Sequence, residues 1–342
     1  MISSFSSYLK VSLLAAAATA TIVAGGPAVA APSAEGIVVY NAQHESLTKA
    51  WVEGFTQQTG IKVTLRNGDD SEMGNQLVQE GKASPADVFL TENSPAMVLV
   101  DRAGLFAPLP PATLSQVASA YRPAHGNWTA IAARSTVFVY NKDKLAADAL
   151  PASLLDLAKP EWKGRWAASP GGADFQAIVA AVLQLKGEAA TLEWLKAMKA
   201  NASIYRGNSA VLKAVNAGQI EGGVIYHYYR FVDGAKTGEN SKNTQLHYFK
   251  HQDPGAFVSV SGAGVLASSK HSEQAQAFVK YITSQAGQAV LATGNSFEYA
   301  VGEGSTSNPA LVPLSQLDAP VIDASTLDSR KVVELMTQAG LL

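Results

Sequence analysis

The chain of 342 residues contains no cysteine, which excludes a disulfide framework, a thiolate metal site and a lipid anchor on cysteine. Charge is scarce as well: 16% of the residues are charged, and 26 basic against 28 acidic side chains give a net of −2. No electrostatic footprint for nucleic acid follows from such a balance. Beyond the first thirty residues no apolar run is long enough to suggest a membrane span. The motifs HExxH and GxSxG are both missing, and no serine–histidine arrangement is evident, so the commonest hydrolase chemistries have no foothold. With 47% hydrophobic residues, the chain is expected to be held by its core, and its length calls for two lobes rather than one.

The first thirty residues differ from the rest. Lys10 is their only charge, an apolar segment runs from Val11 to Ala24, and Ala28-Val29-Ala30 precedes Ala31-Pro32. This pattern is that of a cleaved secretory signal, with the cut expected after Ala30 and a periplasmic or secreted destination. Its removal takes one lysine and no acid from the net of −2, leaving −3.

From Gly36 the pattern alternates between strand and helix. "GIVVYNA" is an apolar run rich in β-branched residues, and Leu47, Trp51 and Phe55 follow it at helical spacing. "IKVTLRNG" and "ADVFLTEN" read as further strands, each followed by a helix. Alternation of this kind predicts an α/β fold whose site lies where strands end and helices begin. Two long stretches without helical period, "WTAIAARSTVFVYNKDKL" and "GAFVSVSGAGVLASS", separate two such sets. They predict a chain that crosses from one lobe to the other and back, in the manner of a hinged clamp. After the leader of residues 1–30, the expected division is 31–135 and 259–309 in the first lobe, with 136–258 and 310–342 in the second.

Three strand ends carry polar donors. His44 follows "VVYN" and opens the first helix, where the macrodipole disfavours an imidazolium. Glu92 follows "ADVFLT". Tyr226, His227, Tyr228 and Tyr229 are consecutive in "GGVIYHYYRF". Were the strand to continue through this run, Tyr228 and Tyr229 would face opposite ways. A break near His227 would turn both toward one site. Each of these residues also has an ordinary reading, as a solvated or capping histidine, a solvated glutamate and aromatic core. Asp69, Asp70 and Glu72 read as capping residues of the following helix.

Two phenolates, one carboxylate and one imidazole are mainly hard anionic oxygen, which suits a hard and highly charged cation. Only a strongly Lewis-acidic metal would deprotonate two phenols at neutral pH. Trivalent iron fits, because two phenolates and Glu92 offset its charge. Gly171-Gly172-Ala173 precedes a helix that starts near Phe175, and exposed amides there could hold an anion, with Asn93 and Asn208 as further donors.

The blocks "VVYNAQHES", "SPADVFLTENSPA", "GEAATLEWLKAMK", "GNSAVLKAVNAGQIEGGVIYHYYR" and "HQDPGAFVSVSGAGVL" resemble the periplasmic ferric-ion-binding proteins of bacterial iron ABC importers, often called bacterial transferrins. The likeness runs from about Ile37 to the C-terminus. It implies a two-lobed periplasmic binding protein of type II, with mixed sheets flanked by helices, two crossover hinge strands and a cleft between the lobes. The implied function is capture of Fe3+ and its delivery, without catalysis, to an ABC-type inner-membrane permease by a monomer. The implied iron ligands fall on His44, Glu92, Tyr228 and Tyr229. A synergistic anion such as phosphate or carbonate would fall on Gly171, Gly172 and Ala173, with Asn93 and Asn208. Two departures stand out: Gly171 occupies a place where well-known members have a serine, and Tyr226 and His227 stand where they have asparagines. An alternative keeps the clamp and changes the cargo to an organic phosphate, a polyamine or another small solute. A metal-dependent hydrolase with Glu92 as base is a weaker alternative.

Overall fold

The computed structural model describes residues 36–342; the expected signal segment, residues 1–30, lies outside the described residues. Strand β1 (Ile37–Asn41) leads through helix α1 (Glu45–Thr59) to β2 (Val63–Asn67), and α2 (Asp70–Glu80) then leads to β3 (Val88–Leu90). Helix α3 (Ser94–Arg102), strand β4 (Phe106–Ala107) and the short helix α4 (Pro111–Leu114) precede the long strand β5 (Trp128–Asn141). The next set comprises β6 (Trp166–Ala168), α5 (Ala173–Asn201), β7 (Ser203–Ile204), α6 (Asn208–Asn216), β8 (Gly222–Tyr226), α7 (Tyr228–Lys236) and β9 (Thr244–His247). Strand β10 (Val258–Leu266) returns the chain to α8 (Ser272–Thr283) and α9 (Gln285–Thr293), and α10 (Ser329–Gln338) closes it.

Strands β2, β1 and β3 are parallel neighbours, and β10 runs antiparallel to β3, β4 and the first half of β5. The register changes partner within one strand. Trp128 to Ser135 pair with β10, whereas Thr136 to Asn141 pair with β8 and β9. Strand β6 adds in parallel to β8, and β7 to β6. Thus β5 belongs to both halves of a mixed sheet in the order β2-β1-β3-β10-β5-β8-β6-β7. This is the two-lobed α/β arrangement, and its two crossing strands lie side by side where Ser135 pairs with Val258.

Apolar patterning accounts for the layers. Leu47, Trp51 and Phe55 form the buried stripe of α1, and Phe55 meets Phe278 of α8 edge-on at 5.1 Å. The Trp51 indole donates to the carbonyl of Gly287 at 2.8 Å, so its polar atom is satisfied inside the core. In the other half Val137, Val139, Val211, Val215 and Ile225 form a separate buried cluster. The two helices expected around Gly187 appear as one element broken at that glycine, whose φ of 80° suits a residue without Cβ. No helix among the described residues is long and apolar enough to cross a membrane.

Candidate metal centre

Each expected donor stands at a strand-to-helix corner. His44 is the N-cap residue of α1 and makes no capping bond with its side chain, so its ring is free for other partners. Glu92 lies between β3 and α3. Asp70 holds this loop, its buried carboxylate accepting from the backbone N–H of Glu92 at 2.8 Å and of Asn93 at 2.7 Å. The capping role expected for this acidic group holds for Asp69, which accepts from the N–H of Glu72; Asp70 instead sets the Glu92 corner.

The strand carrying "GGVIYHYYRF" stops at Tyr226 and α7 begins at Tyr228. Consequently Tyr228 and Tyr229 share a side, with their rings stacked at 4.3 Å, where an uninterrupted strand would have parted them. The Tyr228 hydroxyl donates to Glu92 Oε1 at 2.8 Å, and the Tyr229 hydroxyl to Asp174 Oδ2 at 3.0 Å. His44 Nε2 lies 3.1 Å from the same Glu92 oxygen. His44, Glu92, Tyr228 and Tyr229 therefore form one continuous group of side chains. No group of histidine, cysteine, aspartate or glutamate side chains among the described residues is arranged to hold a metal on its own, so a metal here would need the phenols.

Three residues passed over in the sequence reading are central to this geometry. Arg134, fully buried on β5, places Nη1 3.1 Å from Glu92 and pairs through Nη2 with the fully buried Glu298. Glu298 Oε1 faces His44 Nδ1 at 3.0 Å. Asp174, in the first turn of α5, accepts from the Asn93 amide at 3.0 Å and the Asn208 amide at 2.8 Å. The two asparagines assigned to an exogenous anion thus already hold a carboxylate of the chain. Gly171, Gly172 and Ala173 open instead on a cavity of about 610 Å³, which Asn93, Asp70 and Arg330 also line.

Tyr226 and His227 find structural partners. Tyr226 is buried and donates to Asn93 Oδ1 at 3.2 Å. His227 exchanges bonds with Ser135, its N–H donating to the carbonyl and its Nδ1 accepting the amide N–H at 3.1 Å. Its ring stacks on Tyr299 at 4.7 Å. Burial pulls the His227 pKa down to about 4, which keeps it neutral.

The electrostatics separate the acids. Burial would raise Glu298, but Arg134 and His44 outweigh it and lower its pKa to about 2. Burial disfavours a charge on His44, yet hydrogen bonds to Glu298 and Glu92 raise the imidazole to about 10. The dipole argument for a neutral ring at this helix start is overturned, because two adjacent carboxylates exceed a macrodipole worth about 0.3–1 kcal/mol. Burial and the charge of Glu92 raise Asp174 to about 6. Burial, then Asp174 and Glu92, push both Tyr228 and Tyr229 well above the ordinary phenol value.

Comparison with known proteins identifies the family and the fold. Residues 83–322 match the family of bacterial extracellular solute-binding proteins. The chain is 74% identical over 313 residues to the Fe(3+)-binding periplasmic protein of Serratia marcescens, covering 92% of this chain and 93% of that protein. It is 37% identical over 336 residues to the major ferric iron-binding protein of Neisseria meningitidis, covering 97% and 98%. Iron-bound HitA from Pseudomonas aeruginosa superposes with a TM-score of 0.85 at 39% identity, covering 90% of this chain and 99% of that structure.

Proposed function

The chain belongs to the bacterial extracellular solute-binding proteins, and from that premise we propose that it captures ferric iron in the periplasm and hands it to an ABC-type permease without catalysing a reaction. The observation that carries this reading is the convergence on Glu92 Oε1, which His44 Nε2 approaches at 3.1 Å and the Tyr228 hydroxyl at 2.8 Å, with Tyr229 stacked alongside. A carboxylate, an imidazole and a phenol meeting at one oxygen, with a second phenol stacked beside them, form a donor set for a hard trivalent cation. Its periplasmic relatives support the location, and the expected leader of residues 1–30 agrees with it.

His44, Glu92, Tyr228 and Tyr229 are the proposed ligands. His44 and Tyr228 both meet Glu92, and Tyr229 donates to Asp174, so iron must displace protons from the phenols and from His44 before it binds. Two phenolates and Glu92 offset three charges. Asp174, 3.0 Å from the Tyr229 hydroxyl and 3.4 Å from that of Tyr228, adds a further carboxylate beside the phenols. In this reading Asp174 serves as an internal counterpart to the synergistic anion. A second reading keeps an exogenous phosphate or carbonate at Gly171, Gly172 and Ala173, and it rests on the cavity that these residues line together with Asn93.

Closure brings the tyrosine corner at the start of α7 against the His44 and Glu92 corners, so binding and hinge motion form one equilibrium. The lobes are proposed to divide near Ser135 and Val258, with α10 belonging to the second. An absorption spectrum tests the function directly. Ferric loading should produce a visible phenolate-to-iron charge-transfer band, and a protein that stays colourless and releases all its iron on desalting would refute the reading.

A further inference from the structure

Phe297, Glu298 and Tyr299 approach the centre from behind the proposed ligands. Phe297 has a φ of 53°, in the left-handed region that bulky residues seldom occupy. Two residues on, Tyr299 exchanges two backbone hydrogen bonds with Ala133, at 3.0 and 2.8 Å, which holds the segment against β5. The side chains then part company. Phe297 stacks on Phe231 at 5.6 Å and Tyr299 stacks on His227, both on the tyrosine side, while Glu298 faces His44 and Arg134.

The two oxygens of Glu298 have different duties. Oε2 is held by Arg134 Nη2, by Gln43 Nε2 at 3.3 Å and by the Ser261 hydroxyl at 3.4 Å. Oε1 is thereby left facing His44 Nδ1 at 3.0 Å. Gln43 itself receives the backbone N–H of His44 on Oε1 at 2.7 Å, so ring and backbone of the histidine are fixed from the same side.

We infer that Glu298 is the positioning residue for His44: by accepting the Nδ1 proton it orients the ring and leaves Nε2, the nitrogen facing Glu92, to take the metal. The inference rests on the ferric reading above and adds a residue to it. A neutral imidazole has one lone pair, so the nitrogen that keeps the proton cannot bind a metal. A carboxylate behind a ligating histidine fixes that choice, and losing it typically costs about 10–100-fold in metal affinity. The buried guanidinium of Arg134 explains why the acceptor is a carboxylate: each ion is the other's compensation inside the fold.

A double-mutant cycle tests this, with ferric affinity measured by competition against a soluble chelator. Glu298→Gln should weaken binding by about tenfold to a hundredfold in the native protein and have no further effect in a His44→Ala background. Equal losses in both backgrounds, or none in the native protein, would overturn the inference. Because a lone Arg134 charge could prevent folding of the variant, a second measurement uses the native chain. Protein labelled with nitrogen-15 histidine and loaded with gallium(III), a diamagnetic trivalent ion, should show His44 protonated on Nδ1 and metal-bound through Nε2. A proton on Nε2 instead, or an unligated ring in gallium-loaded protein, would also overturn it. A native chain that takes up neither ion would overturn the ferric reading, and with it this one.

Discussion

His44 and Glu92 arrive from two separate strand-to-helix corners, after β1 and after β3, and are tied down by Arg134 and Glu298, each buried and each contributed by a distant part of the chain. Tyr228 and Tyr229 arrive together at the first turn of one helix and are held by hydrogen bonds to Glu92 and Asp174. The histidine–glutamate half is thus set by buried ions whose desolvation must be offset by mutual pairing. The tyrosine half carries phenols that burial and the nearby carboxylates keep protonated, and on the proposed function they give up those protons to the metal. If the proposed function holds, the contrast gives geometry to the first half and the main charge change on binding to the second.

Replacing both phenols, Tyr228→Phe with Tyr229→Phe, should abolish the charge-transfer band and all measurable ferric uptake while leaving the metal-free melting temperature nearly unchanged. A large fall in that melting temperature would show the tyrosine half to be structural as well. Arg134→Met should do the reverse and destabilise the metal-free fold by roughly 3–5 kcal/mol, because the buried Glu298 loses its guanidinium partner and keeps only His44; denaturant unfolding reads this. Asp174→Asn should weaken ferric binding roughly ten- to hundredfold, the worth of a charged hydrogen-bonded group. If Asp174 acts as the internal anion, phosphate in the titration should restore part of the loss in this variant and add little to the native protein.

The smallest effect is a pH dependence of the histidine–glutamate half. His44 is raised from its ordinary 6.5 to about 10, so its contribution to metal-free stability is complete below pH 6.5 and is lost as pH rises through 10. Glu298 is lowered to about 2; its contribution is present above its ordinary value near 4.5 and fades as pH falls toward 2. Thermal melts of the metal-free protein should fall between pH 6.5 and 10, and His44→Asn should flatten that fall. An unchanged slope in the variant would remove His44 from the account.

The strand-helix alternation was legible because periods of two and 3.6 survive in the apolar positions, as in Leu47, Trp51 and Phe55. The tyrosine corner was legible because its two donors are adjacent, and only a break in the strand could bring them together. Arg134, Glu298 and Asp174 were not legible in the same way, since their partners are far away in sequence and "NSFEYA" has no period at all. One signal was available. Arg134 interrupts the apolar extended run "AIAARSTVFVY", and a charge inside a buried strand requires a buried counter-charge. Nothing in the sequence sets Asp174 apart from other acids in a first helical turn, and only the three-dimensional convergence of Asn93 and Asn208 on its carboxylate reveals its place in the group.

Ser135, the residue at which β5 changes sheets, exchanges its backbone bonds with His227, the neighbour of Tyr228 in sequence. In the proposed clamp the load would therefore sit almost on the fulcrum. A rotation that swings the outer lips far apart would move the phenols only a short way, and a modest force applied at the lips by the proposed permease would be multiplied at the proposed ligands. On that proposal a tightly held ion is prised loose by leverage at a distance.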